Sequence, residues 1–263
     1  MKDLQKIIAR LRRDCPWDRK QTVFSVQHNV LEEAYELAEA IRGRNYQKIK
    51  EEIGDYLFVG LFLARILEDE GKTTTKEILD GIARKLMRRH PHVLGSAKVR
   101  NAEEVVHNWN QIKAQEKGRS ILDGVPKALP ALQRAASVQV RAKRVGFDWK
   151  DPRDVLAKVV EEVEEIRAEL RGRKGRVSRV QVREELGDLL FAIVNMARHL
   201  DIDAEDALQR ATTKFTGRFQ KLEREFARQG KRLPDARLDE MDAVWEKHKR
   251  KARKEPRTAD RRR

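Results

Sequence analysis

The chain has 263 residues, enough for two ordinary domains, and its 40% hydrophobic content suffices for two modest helical cores. A single cysteine, Cys15, excludes an internal disulfide framework and fits a reducing cytoplasm, while the net charge of +15 invites polyanionic partners. The opening Met1-Lys2-Asp3-Leu4-Gln5 lacks the apolar run of a signal peptide, and the longest apolar stretch, Tyr56 to Ala64, is too short to span a bilayer.

Apolar spacing is helical throughout, with no convincing alternation of the kind a strand requires. A first helix is expected from about Leu4 to Arg13, stopping before Cys15-Pro16-Trp17-Asp18. A second carries Val30, Leu31, Ala34, Leu37, Ala38 and Ile41 on one face and meets Gly43. The third spans Tyr46 to Glu70. Thr74-x-x-Glu77 reads as a capping box for a fourth, which Pro91 terminates, and Asn101-x-x-Glu104 caps a fifth carrying Trp109 and Ile112. Residues 118–130 hold two Gly and two Pro without periodicity, which predicts a linker between a repeat at 1–117 and another at 131–250. The order then restarts, with helices expected over Ala131–Val145, Asp154–Arg171, Arg179–Leu200, Ala204–Arg228 and Asp239–Arg250, a Gly146-Phe147-Asp148-Trp149 turn and a Gly172–Ser178 loop. From Lys249 onward nine Lys or Arg stand against two acids, so 251–263 is expected to be a disordered basic tail that holds nucleic acid only weakly.

One carboxylate pattern is written twice. Glu32-Glu33-x-x-Glu36 is followed by Glu52-x-x-Asp55, and Glu161-Glu162-x-x-Glu165 by Glu185-x-x-Asp188. Positions three apart share a helix face, so each half offers two carboxylates from one helix and two from the next. Four facing acids repel unless a divalent cation sits among them, and a hard cation such as Mg²⁺ takes oxygen ligands of this kind. In a chain that is 38% charged, single Glu pairs arise on solvated faces by chance. Here, however, each E-x-x-D opens directly into an apolar run, Tyr56–Leu63 or Leu189–Val194, where unpaired acids are costly.

The repeat extends beyond the acids. Ala64-Arg65 answers Ala197-Arg198, Lys85-x-x-x-Arg89 answers Lys214-x-x-x-Arg218, and Trp109-x-x-x-Lys113 answers Trp245-x-x-x-Lys249. A helical hairpin cannot bury its faces alone, so each half should form a four-helix core, either internally or across a dimer.

These motifs, with Arg88-Arg89-His90-Pro91-His92-Val93, Val145-Gly146-Phe147-Asp148-Trp149 and Lys214-Phe215-x-x-Arg218-Phe219, resemble the MazG family over about residues 1 to 250. The resemblance implies an all-α tandem repeat of two MazG-like helical-bundle domains, a homodimer, and Mg²⁺-dependent hydrolysis of nucleoside triphosphates to NMP and pyrophosphate, with Mn²⁺ as a substitute. It implies metal ligation by Glu162, Glu165, Glu185 and Asp188, answered in the first repeat by Glu33, Glu36, Glu52 and Asp55. Lys214 and Arg218 match basic residues near the phosphates, and Trp245 and Lys249 match a late Trp and Lys of the nucleotide pocket. Glu161 is the candidate for orienting or deprotonating the water, and Lys158, one turn before Glu162, is a further phosphate candidate.

Asn195, seven residues after Asp188 on the same face, suits ribose or base contact, whereas the first repeat has Phe62 there. The second repeat is therefore expected to be the main catalytic one. Gln181 stands four before Glu185, where the family often has a basic residue. Two rival readings are a narrower all-α pyrophosphohydrolase, for dUTP or a histidine-pathway nucleotide, and a non-catalytic nucleic-acid-binding protein. A di-iron bundle would need Glu-x-x-His pairs, and Glu104-x-x-His107 lies away from both clusters.

Overall fold

The computed structural model describes residues 2–116, 120–171 and 177–254, which contain eleven α-helices and no strand. They divide into two units, 1–116 and 117–263. No helix among the described residues is long and apolar enough to cross a membrane.

In the first unit α1 (Lys2–Asp14), α2 (Gln27–Arg42), α3 (Tyr46–Asp69), α4 (Thr75–Arg89), α5 (Pro91–Leu94) and α6 (Ala102–Glu116) follow one another. The three residues between α2 and α3 fold the two helices into an antiparallel hairpin. Arg44 takes a positive φ of 53° there, and the Asn45 side chain accepts from the Lys48 amide at 3.1 Å to cap α3. Helix α1 packs on α3, and Ile8, Val26, Val59, Phe62 and Ile66 form the buried core. The Thr74 capping box is present: its hydroxyl accepts from the Glu77 amide at 3.1 Å, and the Glu77 carboxylate accepts from the Thr74 amide at 2.9 Å. Pro91 ends α4 as expected, but it also opens the one-turn α5, because its missing N–H costs nothing at a first helical position.

The second unit repeats the plan with α7 (Ala131–Lys143), α8 (Pro152–Arg171), α9 (Arg179–His199), α10 (Ala204–Arg228) and α11 (Leu238–Lys254). Helices α8 and α9 pair as α2 and α3 do, and α10 packs against α11. Helix α8 begins at Pro152, two residues earlier than expected, and the backbone of α11 runs four residues past Arg250. Short 3-10 turns at Asp18–Lys20 and Leu233–Asp235 were not anticipated, being too brief to carry a period. The expected loop falls largely outside the described residues at 172–176, as do residue 117 of the first repeat, 118–119 of the linker and 255–263 of the tail. The Arg141 guanidinium donates to the carbonyls of Asp123 at 2.5 Å and Gly124 at 3.1 Å, tying the turn at 120–124 to α7.

Each unit also fastens the turn after its first helix to its central helix with an Arg–Asp pair, but the charges are exchanged. In the first unit Arg12 of α1 donates to Asp69 of α3 at 3.0 Å and to the Asp18 carbonyl at 2.5 Å, and it lies 5.7 Å from the Phe62 ring. In the second, Asp148 from the turn accepts two hydrogen bonds from Arg198 of α9 and lies 3.0 Å from His199 Nε2. A cavity recurs at the same register, about 280 Å³ beside Ile8, Leu61 and Arg65 and about 480 Å³ beside Ala136, Val194 and Arg198.

Candidate metal and nucleotide site

Three carboxylates meet in each hairpin. In the first unit α2 supplies Glu33 and Glu36 and α3 supplies Glu52. In the second α8 supplies Glu162 and α9 supplies Glu185 and Asp188. Within each trio the ligand oxygens lie no more than 4.8 Å apart. The helix that gives two acids therefore differs between the units. The fourth acid of each expected set, Asp55 or Glu165, stands outside its trio but acts on it. Burial, then Asp55 and the neighbouring glutamates, raise Glu33 above the ordinary carboxylate range. Burial, then Glu162 and Glu185, raise Glu165 in the same way.

One acid of each trio is buried, and it carries its own counterion. Glu52 is 5% exposed and Glu162 is 4% exposed. Lys48, one turn before Glu52, approaches it at 3.7 Å; Lys158, one turn before Glu162, bonds it at 2.7 Å. Lys158 also donates to Glu161 at 3.1 Å, and these carboxylates, Glu162 first, raise its own pKa. Even so, Glu162 Oε2 is buried with no hydrogen-bond partner. A buried carboxylate oxygen in that state is costly unless a cation takes it. The donor set, all carboxylate oxygen, fits a hard divalent ion.

The remaining candidates lie on four helices, α8 to α11. Glu161 is exposed beside the trio. Asn195 is 5% exposed, and its Oδ1 accepts from Arg198 Nε at 3.1 Å, so that oxygen is engaged in the Asp148 tie. Lys214 is exposed and Arg218 half-buried on α10, while Trp245 and Lys249 sit on α11. Lys249 bonds Glu246 at 2.7 Å and, with Arg218 contributing from α10, holds that carboxylate below its usual range. The Trp245 ring packs on Phe215 of α10 with centroids 5.1 Å apart. Lys48 went unnoticed in the sequence, although its i,i+4 spacing to Glu52 is the spacing that marked Lys158. The Asp148–Arg198 pair has no local signal, because its members are fifty residues apart.

Facing helices thus gather three carboxylates in each of two repeated helical units, a donor set that could hold a metal ion. The chain belongs to the MazG nucleotide pyrophosphohydrolase family, whose domain matches it twice, at residues 21–94 and 150–222. It is 41% identical over 254 residues to the nucleoside triphosphate pyrophosphohydrolase of Escherichia coli K12, spanning 94% of this chain and 96% of that one. The nucleoside triphosphate pyrophosphohydrolase/pyrophosphatase MazG of Thermotoga maritima is 40% identical over 252 residues, 94% of each chain. The Bacillus subtilis protein YabN is 42% identical across 93% of this chain, which spans 50% of that longer protein.

Proposed function

We propose that the second repeat carries the main chemistry, cleaving NTP with water to NMP and pyrophosphate at a Mg²⁺ site formed by Glu162, Glu185 and Asp188, with Glu165 beside them. The protein is a nucleoside triphosphate pyrophosphohydrolase, a hydrolase of a metal-dependent family. The observation that carries the site reading is the buried, unpartnered Glu162 Oε2 within a carboxylate trio.

A divalent cation held by these acids supplies charge neutralisation for the triphosphate and makes water more acidic. Glu161, exposed at the rim, accepts the proton of the water that attacks the α-phosphorus. Lys214 and Arg218, one turn apart on α10, bind the phosphates and stabilise the departing pyrophosphate, with Lys158 as a further contact. Trp245, Lys249 and Asn195 bind the nucleoside end, Asn195 with its Oδ1 held by Arg198. In the first repeat Glu33, Glu36, Glu52 and Asp55 form a second cation site with a mainly structural role. Mn²⁺ substitutes for Mg²⁺, and a reducing cytoplasm suits the chain.

Both hairpins leave apolar side chains in water, Leu31, Tyr35, Ile53 and Leu57 in one and Leu156, Val160, Leu186 and Leu190 in the other. A second copy of the chain covers them, completing each hairpin as a four-helix core. Weak nucleic-acid contact is left to the basic tail.

Hydrolysis in ¹⁸O-water tests the reaction. Label in the NMP supports attack at the α-phosphorus; label in the pyrophosphate places attack at the β-phosphorus and contradicts this account.

A further inference from the structure

We infer that Arg198 is a positioning residue for the second repeat: it fixes the Asn195 amide so that this side chain can only donate to the nucleoside, which selects for a hydrogen-bond acceptor there. This rests on the nucleotide-hydrolase reading above. The Asn195 Oδ1 accepts from Arg198 Nε at 3.1 Å and from Arg198 Nη2 at 2.5 Å. A side-chain amide oxygen has two lone pairs, and the guanidinium fills both. Turning the amide over would set its NH2 against the guanidinium, donor against donor. What Asn195 has left to offer a ligand is therefore that NH2 group. Asn195 stands two turns beyond Asp188 on the same face of α9, about 10 Å along its axis. A nucleoside extending from metal-held phosphates bridges such a span.

The guanidinium is itself held. Its Nη1 and Nη2 donate to the two oxygens of Asp148, and the Arg198 side chain is only 12% exposed. A bidentate charged pair fixes geometry as well as charge. The turn at Asp148 thus sets Arg198, and Arg198 sets the face that Asn195 presents. The first repeat supplies a built-in comparison, with Arg65 at the register of Arg198 and Phe62 at that of Asn195. With no amide to hold, Arg65 is 36% exposed and turns to acids of its own helix, Asp69 at 2.7 Å and Glu68 at 3.6 Å. A donor contact also suits substrates that differ in their base. Purine N3 and pyrimidine O2 are acceptors at one edge of every base, and ribose hydroxyl oxygens accept as well.

The test uses the full chain with Mg²⁺ and compares KM and kcat for ATP, 3-deaza-ATP, 2′-deoxy-ATP and 3′-deoxy-ATP. In the wild type one analogue should show KM raised about tenfold over ATP, with kcat little changed. A penalty on 3-deaza-ATP places the acceptor on the base edge and a penalty on a deoxy analogue places it on the ribose; either supports the inference. Arg198→Lys keeps a charge for Asp148 but lacks the planar fork that grips the amide oxygen. Asp148→Asn loosens Arg198 without altering it, and Asn195→Asp keeps the shape but has no N–H to donate. In all three variants KM for ATP should rise toward that of the analogue, so that the penalty shrinks. A variant that raises KM for ATP and analogue alike, keeping the wild-type penalty, shows a role in the fold alone and overturns the inference. A wild type that cleaves ATP and all three analogues with equal KM overturns it too and leaves the enzyme reading standing. A wild type that cleaves no NTP overturns this inference together with the reading beneath it.

Discussion

Glu52 and Glu162 show how a carboxylate is kept inside a helical core without a long-range partner. Each takes a lysine from one turn earlier on its own helix, and the lysine moves from α3 to α8 as the buried acid does. Replacing Glu162 with Gln should remove the charge that a cation needs while preserving volume. NTP turnover should drop by about a hundredfold, and the rise in melting temperature on adding Mg²⁺ should shrink; full turnover would exclude Glu162 from the site. At Asp148 burial works against the charged form, but hydrogen bonds from Arg198 and His199 outweigh it and depress the pKa. The stability this group adds is therefore present above the ordinary Asp pKa and lost as pH falls through its lower folded value. Asp148→Asn should cost about 2 kcal/mol at neutral pH and flatten the acid limb of stability against pH. An unchanged acid limb in denaturant titrations would show that the tie contributes nothing.

The long helices were legible because their apolar residues recur at 3.6 and their ends carry recognisable caps, as at Thr74 and Asn101. The one-turn α5 and the 3-10 turns were not, since three or four residues cannot display a period. The capping box at α4 is exposed and supplies no carboxylate to either trio. Thr74→Ala should therefore cost about 1 kcal/mol and leave turnover intact. A loss of activity, measured beside urea unfolding, would reveal a coupling between α4 and the site. The acids were legible by spacing, but which three of four would meet was not. That depends on which helix turns a glutamate inward, and the two repeats differ in it. Asn195 illustrates the same boundary: its position on the face of α9 could be read, while its bond to Arg198 emerges only when the helix is folded.

At the scale of the whole molecule, duplication has kept the hairpin and its acids while changing what surrounds them. The exposed leucines of both hairpins predict a dimer, with sedimentation at about twice the 30.7 kDa chain mass. Leu190→Glu should shift the protein toward monomer, and a wild type that sediments as one chain would remove the need for a partner. The two repeats divide the labour, the second carrying the chemistry in the reading proposed above. The direct measurement is pyrophosphate and NMP release from a panel of NTPs with Mg²⁺ by the wild type, Asp55→Ala and Asp188→Ala. Activity should collapse in Asp188→Ala and persist in Asp55→Ala; comparable collapse in both would contradict the assignment of the chemistry to the second repeat.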